Sequence, residues 1–201
     1  MRIQVLVGCA LLLAAHSAWP REDAAARFVP VGVWYGGGTV RAPMVAPEPT
    51  AHRDEWRRDL QTIKRLGFNS IKCWVDWASS EPARGHYRFD ALEQLLTLAD
   101  EAGLRVIVQF YTDSAPEWLG AAYPDAGFVT DQGVRIKSQA APGFCIDHPR
   151  VREAMTAFIS AASQRARGHA SLYGFDVWSE PHIVNWVWFN TPAEFCYCPY
   201  T

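Results

Sequence analysis

Apolar residues recur along this chain at two spacings, and the alternation of those spacings predicts its elements. Phe28 to Tyr35 is a short apolar, β-rich run closed by three glycines, which predicts a strand followed by a loop. In "TAHRDEWRRDLQTIKRLGFN", Trp56, Leu60 and Ile63 fall at helical spacing. Gly67 stands where a helix end takes a left-handed residue, so an amphipathic helix stops there. "NSIKCWVDW" predicts a second strand from about Ser70 to Val75. A second helix begins at Asp90, with Glu93 completing a capping box, and runs through Leu92, Leu95, Leu96 and Ala99 to Gly103. The third strand, "LRVIVQF", is almost wholly apolar, as befits a strand buried on both faces.

The segment from Tyr111 to His148 is long for a connection in a compact domain. It is rich in Pro, Gly, Asp and aromatic residues and reads as an ordered active-site loop. Asp147 and Pro149 then open a third helix, in which Val151, Ala154, Met155, Phe158 and Ala162 share one face. "LYGFDVW" is the fourth strand.

Four strands alternating with three helices predict an α/β fold with a parallel sheet. The first strand leads through "GGGTV" into a Pro-rich loop and not into a helix, so a dinucleotide-binding fold is disfavoured. Large loops after strands suit a (β/α)8 TIM barrel, whose active site those loops build. Such a barrel takes about 250 residues, so four strands in 201 residues read as its first half, a truncated one.

Composition adds location and little else. The chain is 49% hydrophobic with a formal net charge of −2, so it can bury a core and offers no basic field for nucleic acid. Residues 1–18 carry Arg2, an apolar run from Val5 to Ala15 and small residues at Ser17 and Ala18, the order of a secretory signal peptide. The run is short for a retained membrane anchor. The expectation is export to the periplasm or the outside, no membrane association after signal removal, and residues 19–201 as the mature part. Cys73, Cys145, Cys196 and Cys198 are too few and too unevenly spaced for a disulfide scaffold.

The candidate chemistry lies in "GFDVWSEPH", where Glu180 follows the fourth apolar run. Glycosidic bond cleavage needs one carboxyl group of raised pKa to protonate the leaving oxygen and a second as nucleophile or base. A glutamate at a barrel strand end, walled by Trp178 and stiffened by Pro181, has the setting for the first role. A strand-end carboxylate paired with an arginine is the other reading of the same residue.

The ordered motifs "VGVWY", "SSEPARGHYRFD", "APEWLGAAYPD", "DHPRVREAM" and "GFDVWSEPH" resemble the N-terminal half of glycoside hydrolase family 42 over about Val31 to Cys198. This is the β-galactosidase-like branch of the retaining barrel glycosidases. The resemblance implies a hydrolase that cleaves terminal β-galactosides, with Glu180 as general acid/base at the end of strand four. It places the nucleophilic Glu on a seventh strand beyond Thr201, so the chain alone is expected to be inert. A β-linked oligosaccharide or galactoside is the implied ligand, and a homo-oligomer is compatible with it. No cofactor is required for the chemistry.

Three positions depart from the family pattern. Ser179 stands where an Asn hydrogen-bonds the sugar 2-hydroxyl, and Ala141 where the family has an Arg. Many members hold a structural zinc with one loop cysteine and a Cys-x-Cys-x-x-Cys cluster. Cys145, Cys196 and Cys198 match three of those positions, and Thr201 stands at the fourth. Reduced buried thiols, or a disulfide from Cys145 to one of the others, are the alternatives. Nine tryptophans supply faces for sugar rings. Trp34 and Trp178 are the expected platforms, with Ser179, Tyr35 and His182 as further substrate contacts. Two alternatives to a β-galactosidase are a non-catalytic carbohydrate-binding barrel and a related retaining enzyme acting on another β-linked sugar.

Overall fold

The computed structural model describes residues 28–38, 48–136, 144–177 and 196–201. Four strands, β1 (Gly32–Trp34), β2 (Ser70–Asp76), β3 (Arg105–Tyr111) and β4 (Leu172–Asp176), form one sheet in the order β1-β2-β3-β4. Every neighbouring pair is parallel, with Trp34 opposite Lys72, Trp74 opposite Gln109, and Gln109 opposite Asp176. The helices between them are α1 (Arg53–Arg65), α2 (Trp77–Ser80), α3 (Asp90–Ala102), α4 (Glu117–Ala122) and α5 (Pro149–Ala166). A 3-10 turn over Pro49–His52 leads into α1.

The long helices form where the apolar spacing predicts them, and their ends follow from backbone chemistry. Asp54 and Glu55 sit in the first turn of α1, and Lys64 and Arg65 in the last, each sign complementing the helix dipole. Gly67, at φ 93°, lets its own N–H reach the Lys64 carbonyl and that of Phe68 reach Ile63. Gly103, at φ 63°, does the same for α3, with Leu104 bonding Ala99. Both are left-handed stops that satisfy otherwise orphaned carbonyls.

Alternate residues of the strands serve two faces. Ile71, Cys73 and Val75 of β2 and Val106, Val108 and Phe110 of β3 are at most 2% exposed and make up the helix side. Trp56 and Leu60 of α1, the leucines of α3, and Phe158 and Ala162 of α5 close over them. Phe158 is the hub, with its ring against Trp77, Tyr87, Phe89 and Phe110.

Three local expectations are corrected. Asp90 is the first residue of α3, whose start has no side-chain cap, so no capping box forms; Glu93 instead pairs with Arg165 of α5 at 3.0 Å. His148, not Asp147, caps α5, its Nδ1 accepting from the Arg150 N–H at 3.2 Å, while Asp147 pairs with Arg152. The Tyr111–His148 segment, read as an ordered loop, contains α4 and two bridged residue pairs among its described residues, Gly127 with Phe144 and Val129 with Arg135. Strand β1 is confined to three residues of the longer apolar run. No described helix is long and apolar enough to cross a membrane; residues 1–27, with the signal-like segment, lie outside the described residues.

Candidate active site and cysteine cluster

The face of the sheet away from the helices is built from the other half of the strand residues. Trp34 closes β1, and its ring meets Trp74 of β2 edge-on, with centroids 4.4 Å apart. Trp74 in turn lies flat on Tyr111 at the end of β3, with centroids 4.4 Å apart and planes 3° from parallel. Offset and edge contacts of this kind add to the area that the rings bury. Lys72 donates to Asp176 of β4 at 2.6 Å and holds its ammonium 5.3 Å from the centre of the Trp34 ring. Gln109, between Trp74 and Asp176 in register, is 1% exposed, and its amide has no hydrogen-bond partner among the described residues.

The rim at the strand ends carries carboxylates with separable roles. Asp76 accepts from the Ser79 N–H at 2.7 Å and caps α2, as a strand-end cap should. Asp113, in the turn after β3, is pushed up to about 6 by burial. Glu81 was not singled out by sequence reasoning, although it lies within "SSEPARGHYRFD". It is 2% exposed and accepts from Trp77 Nε1 at 2.7 Å and from the Gly85 N–H at 2.8 Å. Its own carbonyl accepts from Trp118 Nε1 at 3.0 Å, which ties the loop after β2 to the loop after β3. The signal for it was a glutamate before proline, with a glycine four residues on that could present its N–H.

Two expected sugar contacts are neighbours that part company. Trp34 is 44% exposed on the inner face. Tyr35 is corrected: it is 6% exposed and packs in the helix-side core, with its hydroxyl donating to Asp59 of α1 at 3.0 Å. Burial first, then the Asp59 and Glu55 carboxylates, hold its phenol far above the ordinary range. It is a packing residue. Trp178, Ser179, Glu180 and His182, and Ala141 with them, lie outside the described residues.

Cys145, Cys196 and Cys198 come together at one corner of the long loop, with their sulfurs all within 4.8 Å of one another. All three are buried and reduced, and no disulfide joins them. Phe128 and Ile136 pack beside them in a small apolar cluster separate from the main core. The last described segment is fastened there by Tyr197 N–H to the Val129 carbonyl at 2.8 Å and by the Tyr200 hydroxyl to Asp125 at 2.6 Å. The His148 ring stands edge-on to Tyr200 at 4.3 Å.

Each sulfur receives a backbone N–H: Cys196 from Val129 at 3.3 Å, Cys145 from Asp147, and Cys198 from Tyr200. Burial pushes the Cys145 thiol up to about 11. Burial also works against ionisation of Cys198, but the Tyr200 N–H, the Thr201 hydroxyl and the two other sulfurs outweigh it and hold this thiol below its ordinary value. Buried sulfurs ringed by N–H donors are suited to a soft divalent cation, which deprotonates its thiol ligands outright. The donor set therefore fits a zinc-like ion with three thiolates.

The sequence model of glycoside hydrolase family 42, described as β-galactosidase, matches residues 46–199. The β-galactosidase BglY of Alicyclobacillus acidocaldarius is 24% identical over 150 residues, covering 74% of this chain and 20% of that protein. The β-galactosidase BgaA of a Planococcus species is 23% identical over 167 residues, covering 83% and 22%. The chain thus spans about a fifth of the length of these curated relatives.

Among solved structures, the β-galactosidase of the haloarchaeon Halorubrum lacusprofundi matches with a TM-score of 0.67 at 20% identity, covering 85% of this chain and 23% of that one. A family 42 β-galactosidase from G. stearothermophilus matches with a TM-score of 0.62 at 24% identity, covering 75% and 21%. These likenesses show the fold, and the four parallel strands with their intervening helices are part of a (β/α) barrel. With the family's pattern running from residue 46 to residue 199 over that partial barrel, the chain belongs to glycoside hydrolase family 42.

Proposed function

We propose that this chain supplies the acid/base half of a retaining β-glycosidase that acts on terminal β-galactosides, with Glu180 as the acid/base. The observation that supports it most is β4: a strand paired in parallel with β3 that ends at Asp176, four residues before Glu180 in sequence, at the sheet end that carries Trp34, Asp76 and Tyr111. Barrel enzymes place their chemistry on that rim.

In the first step the Glu180 carboxylic acid gives its proton to the leaving oxygen, while a second carboxylate attacks the anomeric carbon. In the second step the Glu180 carboxylate takes a proton from the incoming water. The second carboxylate belongs to another strand of the barrel. The Trp34 face offers a surface for a sugar ring, and the relatives' names point to galactosides. The cysteine cluster is structural in this reading: it holds a metal that fastens the chain after β4 to the loop after β3, away from the reacting bond. The leading segment takes the protein out of the cytoplasm.

Glu180→Gln in the full-length protein tests the central claim. Loss of general acid catalysis lowers kcat by roughly 10² to 10⁴, most for substrates with poor leaving groups, because these depend most on protonation. An activity that is unchanged for every leaving group removes Glu180 from the chemistry. Ser179 in place of the expected amide favours a second reading, a barrel that binds sugar without cleaving it. Calorimetric binding of galactosides by a wild-type protein that hydrolyses none of them would select that reading.

A further inference from the structure

Resting on the reading that the cysteine cluster binds a metal, we infer that the Thr201 hydroxyl takes the fourth corner, giving a site of three thiolates and one oxygen. The Thr201 Oγ1 lies 3.3 Å from the Cys145 sulfur and 3.7 Å from the Cys198 sulfur. In a tetrahedral zinc site with Zn–S of about 2.3 Å and Zn–O of about 2.0–2.2 Å, the sulfur-to-oxygen edges come out at about 3.5–3.7 Å. The two observed distances bracket that edge.

Local backbone explains how a hydroxyl reaches the corner. The Thr201 N–H returns to the Cys198 carbonyl at 3.3 Å, closing a turn over Cys198, Pro199, Tyr200 and Thr201. The same turn presents the Tyr200 N–H to the Cys198 sulfur. The side chain of Thr201 is thereby folded back over the sulfurs. Between two thiols this oxygen can donate to one sulfur and accept from the other, but once a cation has made both sulfurs thiolates its single proton serves only one of them. A lone pair directed at a shared cation uses the position more fully.

No other donor competes among the described residues. The His, Cys, Asp and Glu side chains that gather there are the three cysteines alone. His148, whose ring stands against Tyr200, has Nδ1 occupied by the Arg150 N–H and Nε2 facing Asp125 at 3.6 Å. A neutral oxygen is a weaker donor than a fourth thiolate. The site therefore holds a divalent ion more loosely than a four-thiolate site would, and binding releases the thiol protons to the buffer.

The test uses the full-length protein, reduced and metal-free, as wild type, Thr201→Cys and Thr201→Val, each titrated with Co²⁺ and then with Zn²⁺ against a chromophoric chelator. The wild type is expected to take up one Co²⁺ per chain with thiolate-to-cobalt charge-transfer bands. Thr201→Cys is expected to raise those bands by about a third and to tighten Zn²⁺ at least tenfold. Thr201→Val should loosen Zn²⁺ at least threefold and shift the visible cobalt bands while keeping the charge-transfer intensity. A Thr201→Val protein with wild-type affinity and spectrum, or a Thr201→Cys protein with no added thiolate intensity, overturns the fourth-corner assignment and leaves the metal reading standing. Absence of thiolate bands in all three proteins overturns both.

Discussion

The two faces of one sheet follow different rules. On the helix side β2 and β3 present only apolar residues, nearly all of them fully buried, and the contacts are dense and nonspecific in chemistry. On the inner side the same strands present Gln109 together with Lys72, Trp74 and Tyr111, and these last three are joined to Trp34 and Asp176 through ring contacts and an ion pair. The helix side removes apolar surface from water, which sets stability. The inner side gives its strand positions to polar and aromatic groups, buried ones such as Trp74 and Gln109 among them. A four-stranded piece of a barrel already carries this division of labour.

The comparison breaks most readily at its strong side. Phe158 is fully buried among four aromatic rings, and Phe158→Ala is expected to cost about 3–5 kcal/mol. Denaturant unfolding of the full-length protein reads this as a lower midpoint with an unchanged slope. A loss below about 1 kcal/mol would mean that the helix side is not where stability resides.

An intermediate effect is expected at the rim. Asp113 has a carboxyl pushed up to about 6 by burial, and no hydrogen bond or cation among the described residues offsets it. Its folded pKa lies above the unfolded value of about 3.9, so its contribution to stability is full below pH 4 and is lost as pH rises through 6. Asp113→Asn removes the penalty for a buried charge and should raise stability above pH 6 by about 1–2 kcal/mol, while leaving pH 4 almost unchanged. Thermal melts across pH 4 to 8 would show the two curves parting; curves that stay parallel would mean that Asp113 is not desolvated.

Much of this was legible in the sequence, for reasons that differ by element. α1, α3 and α5 are long enough for the 3.6-residue period to repeat, and Gly67 and Gly103 mark the first two ends because only a left-handed residue closes them. α4 has six residues and buries only Leu119, too little to establish a period inside a loop. Glu93 had the spacing of a capping box, but Arg165 from α5 claims its carboxylate, an attraction between distant elements that no local pattern encodes. The cysteine cluster was visible only through family resemblance, since folding alone brings Cys145 beside Cys196 and Cys198. Tyr35 failed for a different reason: β1 is three residues long, and two adjacent aromatics at its end do not say which of them faces the helices.

That pair gives the finest test of the comparison, because Trp34 and Tyr35 differ by one residue and by which face they serve. Tyr35 donates to Asp59 from within the core, so Tyr35→Phe should cost about 1 kcal/mol and leave KM for an aryl β-galactoside unchanged. Trp34 is half exposed and rests edge-on against Trp74. Trp34→Ala should cost about 1–2 kcal/mol, for the half-buried ring and its contact with Trp74, while raising KM several-fold if the ring is the sugar platform proposed above. Unfolding and steady-state kinetics on the same two full-length variants read both axes. If Trp34→Ala lowers stability and leaves KM alone, the two faces do not divide stability from recognition, and the Trp34 ring belongs to the packing of the barrel interior.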